Sequence, residues 1–199
     1  MKKTLPGKAV IALSILIIFT NRPAYSQCIS SSWHNASNFT TDNSTGIYDF
    51  SSPSNSQVSD NSRASASALV SLLSGNTYYL EATGFGFTIP SYASVCGVTV
   101  EIECRGTGLI LTAAIKDNEV KLIKNGTIGG NNKALGSDWG GSDAYRSYGG
   151  GSDLWGLTFQ PSDVNASNFG VAISARIIAL VAALPDAEID HIRMKIDYN

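Results

Sequence analysis

Two stretches with a strict two-residue alternation constrain this chain more than any other feature. The segments VTVEIEC (98–104) and HIRMKIDY (191–198) both alternate apolar with polar side chains. Successive side chains of a strand point to opposite faces, so each segment predicts a strand with one buried and one solvated face. The inward positions that we expect to form the core are Val98, Val100, Ile102, Leu122, Val171, Ile173, Ile192, Met194 and Ile196.

Turn signals separate several further apolar runs. Asn125 and Gly126 follow the run EVKLIK and predict a hairpin with a type I′ turn. The segments YYLEATGFGFTIP (78–90) and FGVAISARI (169–177) are predicted strands, and residues 34–62 are predicted to be a long loop or irregular edge. Many short strands with glycine-rich turns predict an all-β fold, an antiparallel β-sandwich of the jelly-roll type. An immunoglobulin-like sandwich is the alternative, although its Cys-Trp-Cys spacing is missing.

Two segments depart from the strand pattern. In QPSDVNASN (160–168), a helical turn is predicted because Pro161 cannot lie inside a strand and Ser162 or Asp163 can cap the turn. The segment RIIALVAALPDAE (176–188) is predicted to be strand, loop and strand. A short helix is the alternative there, on the propensity of alanine and leucine.

The first 26 residues have the pattern of a secretory signal peptide. Lys2 and Lys3 precede an apolar run over residues 10–19, and small residues follow at 24–26. Spanning a bilayer takes about 20 apolar residues, so this run is too short to stay in the membrane. We expect cleavage after Ser26 and export through the bacterial inner membrane. A single domain, residues 27–199, would remain, secreted or on the cell surface, with no membrane insertion. A retained anchor and lipid attachment at Cys28 are the alternatives.

Three cysteines enter this oxidising route. Cys96 and Cys104 bracket one predicted strand and would lie about 26 Å apart in an extended chain. A disulfide requires Cα atoms within roughly 7 Å of each other. We therefore predict one disulfide that joins Cys28 to either of the other two, and a third thiol that is buried and inert. A reactive or intermolecular role for this thiol is the alternative.

Charge and motifs narrow the function classes. The first 26 residues hold four of the 14 basic side chains, so residues 27–199 carry ten basic and 16 acidic side chains, a net charge of −6. A nucleic-acid partner is not expected from this balance. The segment GGSDA (140–144) lacks the last glycine of a nucleophile elbow. His191 is predicted to be a solvated side chain on an outward strand face, as are Glu101 and Glu103, so no enzyme is predicted.

No cofactor is predicted, and no zinc motif is present in the sequence. Calcium is the alternative, because it binds clustered oxygen ligands. These could come from Asp117, Asn118 and Glu119, or from the three Gly-Ser-Asp units of residues 136–156.

The segment GSDWGGSDAYRSYGGGSDLWG (136–156) is the candidate functional region. The Gly-Ser-Asp sequence is typical of turns, because glycine allows positive φ angles and Ser or Asp forms local hydrogen bonds. The large aromatic side chains in such a loop are expected to pack against the protein or against a ligand. Trp155 is predicted to be buried at the start of a strand that continues through Phe159. The rest of the loop is predicted to be exposed, with a ligand site that includes aromatic and acidic side chains. The candidate residues are Trp139, Tyr145, Tyr148, Asp138 and Asp143.

The segments YYLEATGFGFTIP, GVTVEIE, VKLIKNGTIGG, YGGGSDLWGLTFQPSDVNASNFGVAISA and DHIRMKIDY together resemble a recurrent β-sandwich domain. That domain occurs in bacterial secreted proteins and phage tail-associated proteins, and the resemblance covers roughly residues 77–198. It implies a jelly-roll-like structural or adhesive module without catalytic residues. The cysteines Cys96 and Cys104 and the segment 176–184 depart from it.

The predicted function is therefore a non-catalytic extracellular interaction, adhesion or surface-assembly module whose partner is a protein or a glycan. The alternative is a carbohydrate-binding module that uses the loop from Trp139 to Trp155, and a glycan-active enzyme is a more distant one. The sequence does not specify the oligomeric state.

Overall fold

The computed structural model describes residues 27–68, 74–109, 113–179 and 184–199. The predicted signal peptide, residues 1–26, lies outside the described residues. Strands dominate the described chain, with one short 3-10 helix at Pro53–Gln57 and one helical turn, α1, at Pro161–Val164. The strands are β1 (Ile29–Ser30), β2 (His34–Asn35), β3 (Asn38–Asp42), β4 (Ala64–Ser67), β5 (Gly75–Asn76), β6 (Tyr79–Thr83), β7 (Val95–Thr107), β8 (Ala114–Lys124), β9 (Thr127–Gly129), β10 (Ala144–Gly150), β11 (Gly170–Ile178) and β12 (Asp186–Tyr198).

The strands form two six-stranded antiparallel sheets. Sheet A has β12 and β7 at its centre and β10 at one edge, while β1, β2 and β4 pair with the other side of β12. Sheet B has the order β3-β6-β11-β8-β9, and β5 also pairs with β11. From β6 onward the strands alternate between the two sheets along the chain, apart from β9, which forms a hairpin with β8 in sheet B. This winding is that of a jelly-roll β-sandwich, which confirms the predicted fold class.

The core lies between the inner faces of the two sheets, as the alternation predicts. In the β7–β12 pair, Ile192 lies opposite Ile102 and both are fully buried, while Arg193 lies opposite Glu101 on the outer face. All nine residues predicted for the core are buried. Burial of each aliphatic side chain contributes about 1.5–3 kcal/mol, so this face determines the register of both sheets.

The predicted hairpin is confirmed at Asn125 and Gly126. These residues have φ angles of 53° and 74°, as a type I′ turn requires, and Lys124 pairs with Thr127 across the turn.

Two irregularities interrupt the β7–β12 ladder. Ile189 lies opposite Cys104 and His191 lies opposite Glu103, so Asp190 is an extra residue on β12. At the other end of the pair Cys96 has no opposite residue, because Asp197 lies opposite Gly97 and Tyr198 lies opposite Val95. Such bulges redirect side chains that regular pairing would place elsewhere.

The predicted disulfide forms between Cys28 and the bulged residue Cys96, with Cα atoms 6.4 Å apart. It attaches the first described residues to the end of sheet A. The Cys28 sulfur is then not available for a lipid thioether. Cys104 is the remaining thiol, and it is buried in the core as predicted; burial raises its pKa, which keeps it protonated and unreactive.

Several local predictions were wrong or incomplete. Residues 34–62 are not only loop, because they contain β2, β3 and the 3-10 helix. The helical turn is confirmed, but its N-cap is Gln160; Asp163 instead closes the turn from the third position, where its carboxylate accepts a hydrogen bond from the Gln160 N–H at 2.8 Å. In the segment 176–188, strands end at Ile178 and begin at Asp186, and residues 180–183 lie outside the described residues.

Candidate functional site

Trp139 and Tyr148 are buried, each with 2% of its surface exposed, so the prediction that the Trp139 ring is a free surface group was wrong. The Trp139 Nε1–H donates to the Asp117 carboxylate at 2.7 Å. The Tyr148 hydroxyl lies 3.2 Å from both oxygens of the same carboxylate. Trp139 therefore anchors the loop before β10 to β8, and Tyr148 joins β10 to the same carboxylate across the core.

The Asp117 carboxylate is the centre of this anchor. Its side chain is fully buried, and it also accepts a hydrogen bond from the Leu135 N–H at 2.8 Å and pairs with Arg146 at 3.5 Å. Burial, followed by the charge of Asp117, raises the pKa of the Tyr148 phenol, so that phenol stays a donor. A buried carboxylate is stable only when its oxygens are paired, and here protein donors occupy both of them.

Two of the carboxylates considered as calcium ligands, those of Asp117 and Glu119, bind protein groups in the described chain. Asp117 has the four partners above, and the Glu119 carboxylate binds Lys121 at 2.9 Å and the Tyr79 hydroxyl. Among the described residues, no group of three or more His, Cys, Asp or Glu side chains is arranged to hold a metal ion.

Asp143, Asp138 and Tyr145 are the other three predicted site residues. The Asp143 carboxylate binds the Arg63 guanidinium through two contacts, at 2.6 and 3.1 Å, and lies 3.7 Å from Arg105. The hydrogen bond from Arg63 holds the pKa of Asp143 below its ordinary value. Asp138 is exposed, and Tyr145 is 38% exposed. The five candidates thus do not form one site, and Tyr145 is the only exposed aromatic side chain among them.

Trp155 is fully buried, as predicted, and its indole N–H donates to the Val98 carbonyl at 2.9 Å. The predicted strand from Trp155 through Phe159 is absent, because Trp155 has a φ of 57° and lies in a turn with Gly156. A strand is present instead at β10, where residues 144–148 were predicted to be loop.

The outer face of sheet A brings together a set of partly exposed aromatic and charged side chains. Register places Glu103 between His191 and Tyr145, and Glu101 between Arg193 and Ser147. On the other side of β12, Asn35 pairs with Arg193 and the chain continues backwards to Trp33. We call five of these side chains the aromatic face: Trp33, Tyr145, Arg193, Lys195 and Glu101.

Arg193 occupies the middle of the aromatic face. Its guanidinium carbon lies 4.3 Å from the centre of the Tyr145 ring and 4.8 Å from that of Trp33. The same guanidinium binds the Glu101 carboxylate at 2.6 and 2.8 Å. Lys195 lies over the Trp33 ring, with its ammonium 5.1 Å from the ring centre. A cation that lies between two aromatic rings stabilises both of them in fixed positions.

His191 fixes the position of Tyr145 from below. Burial and then the charge of Arg193 lower the pKa of His191, so the imidazole is neutral at neutral pH. Its Nε2 lies 3.0 Å from the Asn35 Oδ1, an acceptor, so the proton is on Nε2. Nδ1 therefore accepts a hydrogen bond from the Tyr145 hydroxyl at 2.7 Å. With 6% of its surface exposed, His191 is not the solvated side chain that was predicted.

Of the aromatic face, only Tyr145 was predicted from the sequence as a site residue. Alternation does place Arg193 and Lys195 on the outward side of β12, and this signal was present. Trp33 gave a weaker signal, a single large aromatic residue within SSWHN. Its position beside Lys195 depends on the pairing of β2 with β12, which joins residues about 160 positions apart.

No protein-family model matches this chain, and no curated protein sequence matches it. Three solved structures are similar to it at low identity. The first, described as "CBM4 structure and function", is 8% identical, with 69% of this chain and 85% of that chain covered and a TM-score of 0.37. TmCBM61, in complex with beta-1,4-galactotriose, is 15% identical, with 82% and 88% covered and a TM-score of 0.36. The CBM22-1 xylan-binding domain from Paenibacillus barcinonensis Xyn10C is 9% identical, with 87% and 97% covered and a TM-score of 0.38. In the described part of this chain, no helix has the length and apolar character to cross a membrane.

Proposed function

We propose that this protein is a secreted, non-catalytic carbohydrate-binding domain that holds a glycan against the aromatic face. The wider class, an extracellular interaction or adhesion module, is the one that the sequence predicted. The binding surface that we propose is the outer face of β12, β7 and β10, whereas the sequence pointed to the loop 139–155.

The observation that carries the proposal is the Arg193 guanidinium held between the rings of Tyr145 and Trp33. These side chains are at least partly exposed on an outer sheet face, and the Tyr145 ring is 38% exposed. Aromatic rings at an accessible surface offer a flat apolar area, and neighbouring polar groups give direction to a ligand that packs on it.

A sugar ring suits this combination of groups. Its C–H face can pack on the Tyr145 or Trp33 ring, while its hydroxyls can donate to Glu101 and accept from Lys195. The Tyr145 ring needs little reorganisation, because His191 holds its hydroxyl and Arg193 lies over one of its faces. Such preorganisation lowers the entropic cost of binding.

Binding suits the aromatic face better than catalysis does. The two carboxylates beside these side chains, Glu101 and Glu103, lie on the same side of one strand, β7, and Glu101 is held in a two-contact ion pair with Arg193. Glycoside cleavage generally requires two carboxyl groups, one on each side of the scissile bond. The Cys28–Cys96 disulfide supports an oxidising, extracytoplasmic location, in agreement with the predicted signal peptide.

The test is binding of purified protein to a panel of immobilised polysaccharides, followed by titration with soluble oligosaccharides. Replacement of Tyr145 by Ala should weaken glycan binding by about 1 kcal/mol or more, roughly fivefold, because a stacking surface is lost. Tyr92→Ala is the matched control, since this tyrosine is 89% exposed in another connection. Equal affinity of the Tyr145→Ala variant and the parent would exclude the aromatic face as the binding surface. A parent that binds no glycan in the panel would favour a protein partner instead.

A further inference from the structure

A second surface of the domain has the features of a small-ligand site. A cavity of about 290 Å³ lies at the edge of sheet A, beside β4, and we call it the edge cavity. Dedicated ligand pockets begin at about 300 Å³, so this volume suits one small ring. Its lining residues are Ile47, Tyr48, Asp49, Ser51, Ser65 and Ser67.

The walls of the edge cavity are fixed by backbone hydrogen bonds to both sheets. On the sheet B side, the Ile47 N–H donates to the Asn76 carbonyl at 2.9 Å, and the Tyr48 carbonyl accepts from the Tyr78 N–H at 2.7 Å. On the sheet A side, Ser51 and Ser65 exchange two backbone bonds, of 2.9 and 3.2 Å. The segment 46–51 therefore crosses from one sheet to the other and is held at both ends by hydrogen bonds. The cavity is preorganised for a ligand.

The chemistry of the lining is divided between an apolar wall and a polar rim. Ile47 is 52% exposed, although it is a large apolar residue, and it stands beside the buried Tyr48 ring. Opposite them are the outward-facing side chains of Ser65 and Ser67 on β4.

Three polar groups of the rim are available to a ligand. Within the described residues, the hydroxyls of Ser65 and Ser67 and the carboxylate of Asp49 have no hydrogen-bond partner. Asp49 is also the only charged residue of the lining, which disfavours an anionic ligand.

We infer that the edge cavity binds a single neutral pyranose, the terminal or branching sugar of a glycan. A pyranose has an apolar C–H face that can pack on the exposed Ile47 side chain, and its hydroxyls can donate to Asp49 and exchange hydrogen bonds with the two serines. The inference rests on the proposed function for the class of ligand, and it adds a second contact point on a different edge of the sheet. Two linked contacts on one glycan raise the overall affinity through effective concentration.

The experiment is an amide-shift NMR titration of the secreted protein with methyl glycosides of glucose, galactose, mannose and xylose, and with glucuronate as the anionic comparison. A neutral glycoside should shift the signals of residues 47–51 and 65–67, and glucuronate should not. Ser67→Phe fills the cavity from an exposed edge position and should weaken this binding by about tenfold or more, because the ligand volume is lost. Asp49→Asn keeps the shape and should weaken it by roughly threefold, because one charged acceptor is lost.

Ser162→Phe is the control, since it adds the same side chain at an exposed serine on α1 and should bind like the parent. Unshifted signals at 47–51 and 65–67 with every glycoside, or full affinity in Ser67→Phe, would overturn the inference. Tyr145→Ala separates the two proposals. Loss of oligosaccharide binding in Tyr145→Ala with silent edge-cavity signals supports the aromatic face and refutes the edge cavity. Edge-cavity shifts together with unchanged oligosaccharide binding in Tyr145→Ala support the edge cavity and refute the aromatic face.

Discussion

Replacement of Asp117 by Asn tests whether the long loop after β9 is held by one buried carboxylate. The two side chains have nearly the same shape, but the amide replaces one acceptor oxygen with a donor and removes the charge that pairs with Arg146. The Trp139 indole N–H donates to Oδ1 and the Leu135 N–H donates to Oδ2, so one of these two loop donors loses its acceptor whichever oxygen becomes the amide nitrogen. Breaking a buried pair by removing one partner costs about 3–5 kcal/mol.

In a domain of this size, a loss of about 3 kcal/mol lowers the midpoint of thermal unfolding by roughly 6–12 °C. Urea unfolding followed by tryptophan fluorescence measures the free energy directly and also reports on the environment of Trp139. The control is Asp138→Asn in the same loop, where the exposed carboxylate should contribute less than about 0.5 kcal/mol. Equal stability of the two variants would show that Asp117 is not the anchor of the loop.

Three further perturbations give measurable outcomes. Trp139→Ala should lower the free energy of unfolding by about 3–5 kcal/mol, because it empties a buried site; an unchanged urea midpoint would restore the view of this ring as a surface group. Cys28→Ser removes the bridge to Cys96, which closes a loop of 68 residues, and should cost about 4 kcal/mol in calorimetry, while peptide mapping of the oxidised parent should recover the 28–96 link. Hydrogen bonding to Arg63 lowers the pKa of Asp143, so the stabilisation of the fold by this carboxylate is complete above the ordinary pKa of 3.8 and is lost as the pH falls through the lower pKa of the folded state. Asp143→Asn should therefore make the free energy of unfolding less dependent on pH in the acidic range, and an unchanged pH dependence would contradict this.

The sequence predicted those parts of the fold that depend on neighbouring residues. The alternation around Ile102 and Ile192 determines which face is buried, and Asn125 with Gly126 specifies its hairpin through two local φ angles. These signals are local because strand geometry repeats every two residues. They required no knowledge of which strands pair.

The candidate site could be predicted only in small part, because its contacts join distant segments. Trp139 looked like a surface residue because its acceptor, Asp117, lies 22 positions earlier on a strand of sheet B. Trp33 and Tyr145 share the Arg193 side chain, yet no periodic pattern links residues so far apart in the chain. The burial of the Asp117 carboxylate and the stacking of Arg193 on two rings both depend on which strands pair. The order of residues alone does not specify that pairing.

Because Asp190 is the extra residue of a bulge, the pairing of β12 with β7 does not depend on it. If it were deleted, Ile189 and His191 would be consecutive opposite Cys104 and Glu103, and inward and outward positions would alternate without a break along the whole of β12. What would be lost is local: the Asn61 N–H donates to the Asp190 carboxylate at 3.2 Å, and this contact holds the connection that follows the 3-10 helix. The extra residue thus binds a neighbouring loop. The strand can be shortened by one residue at this position without moving any core side chain to the surface.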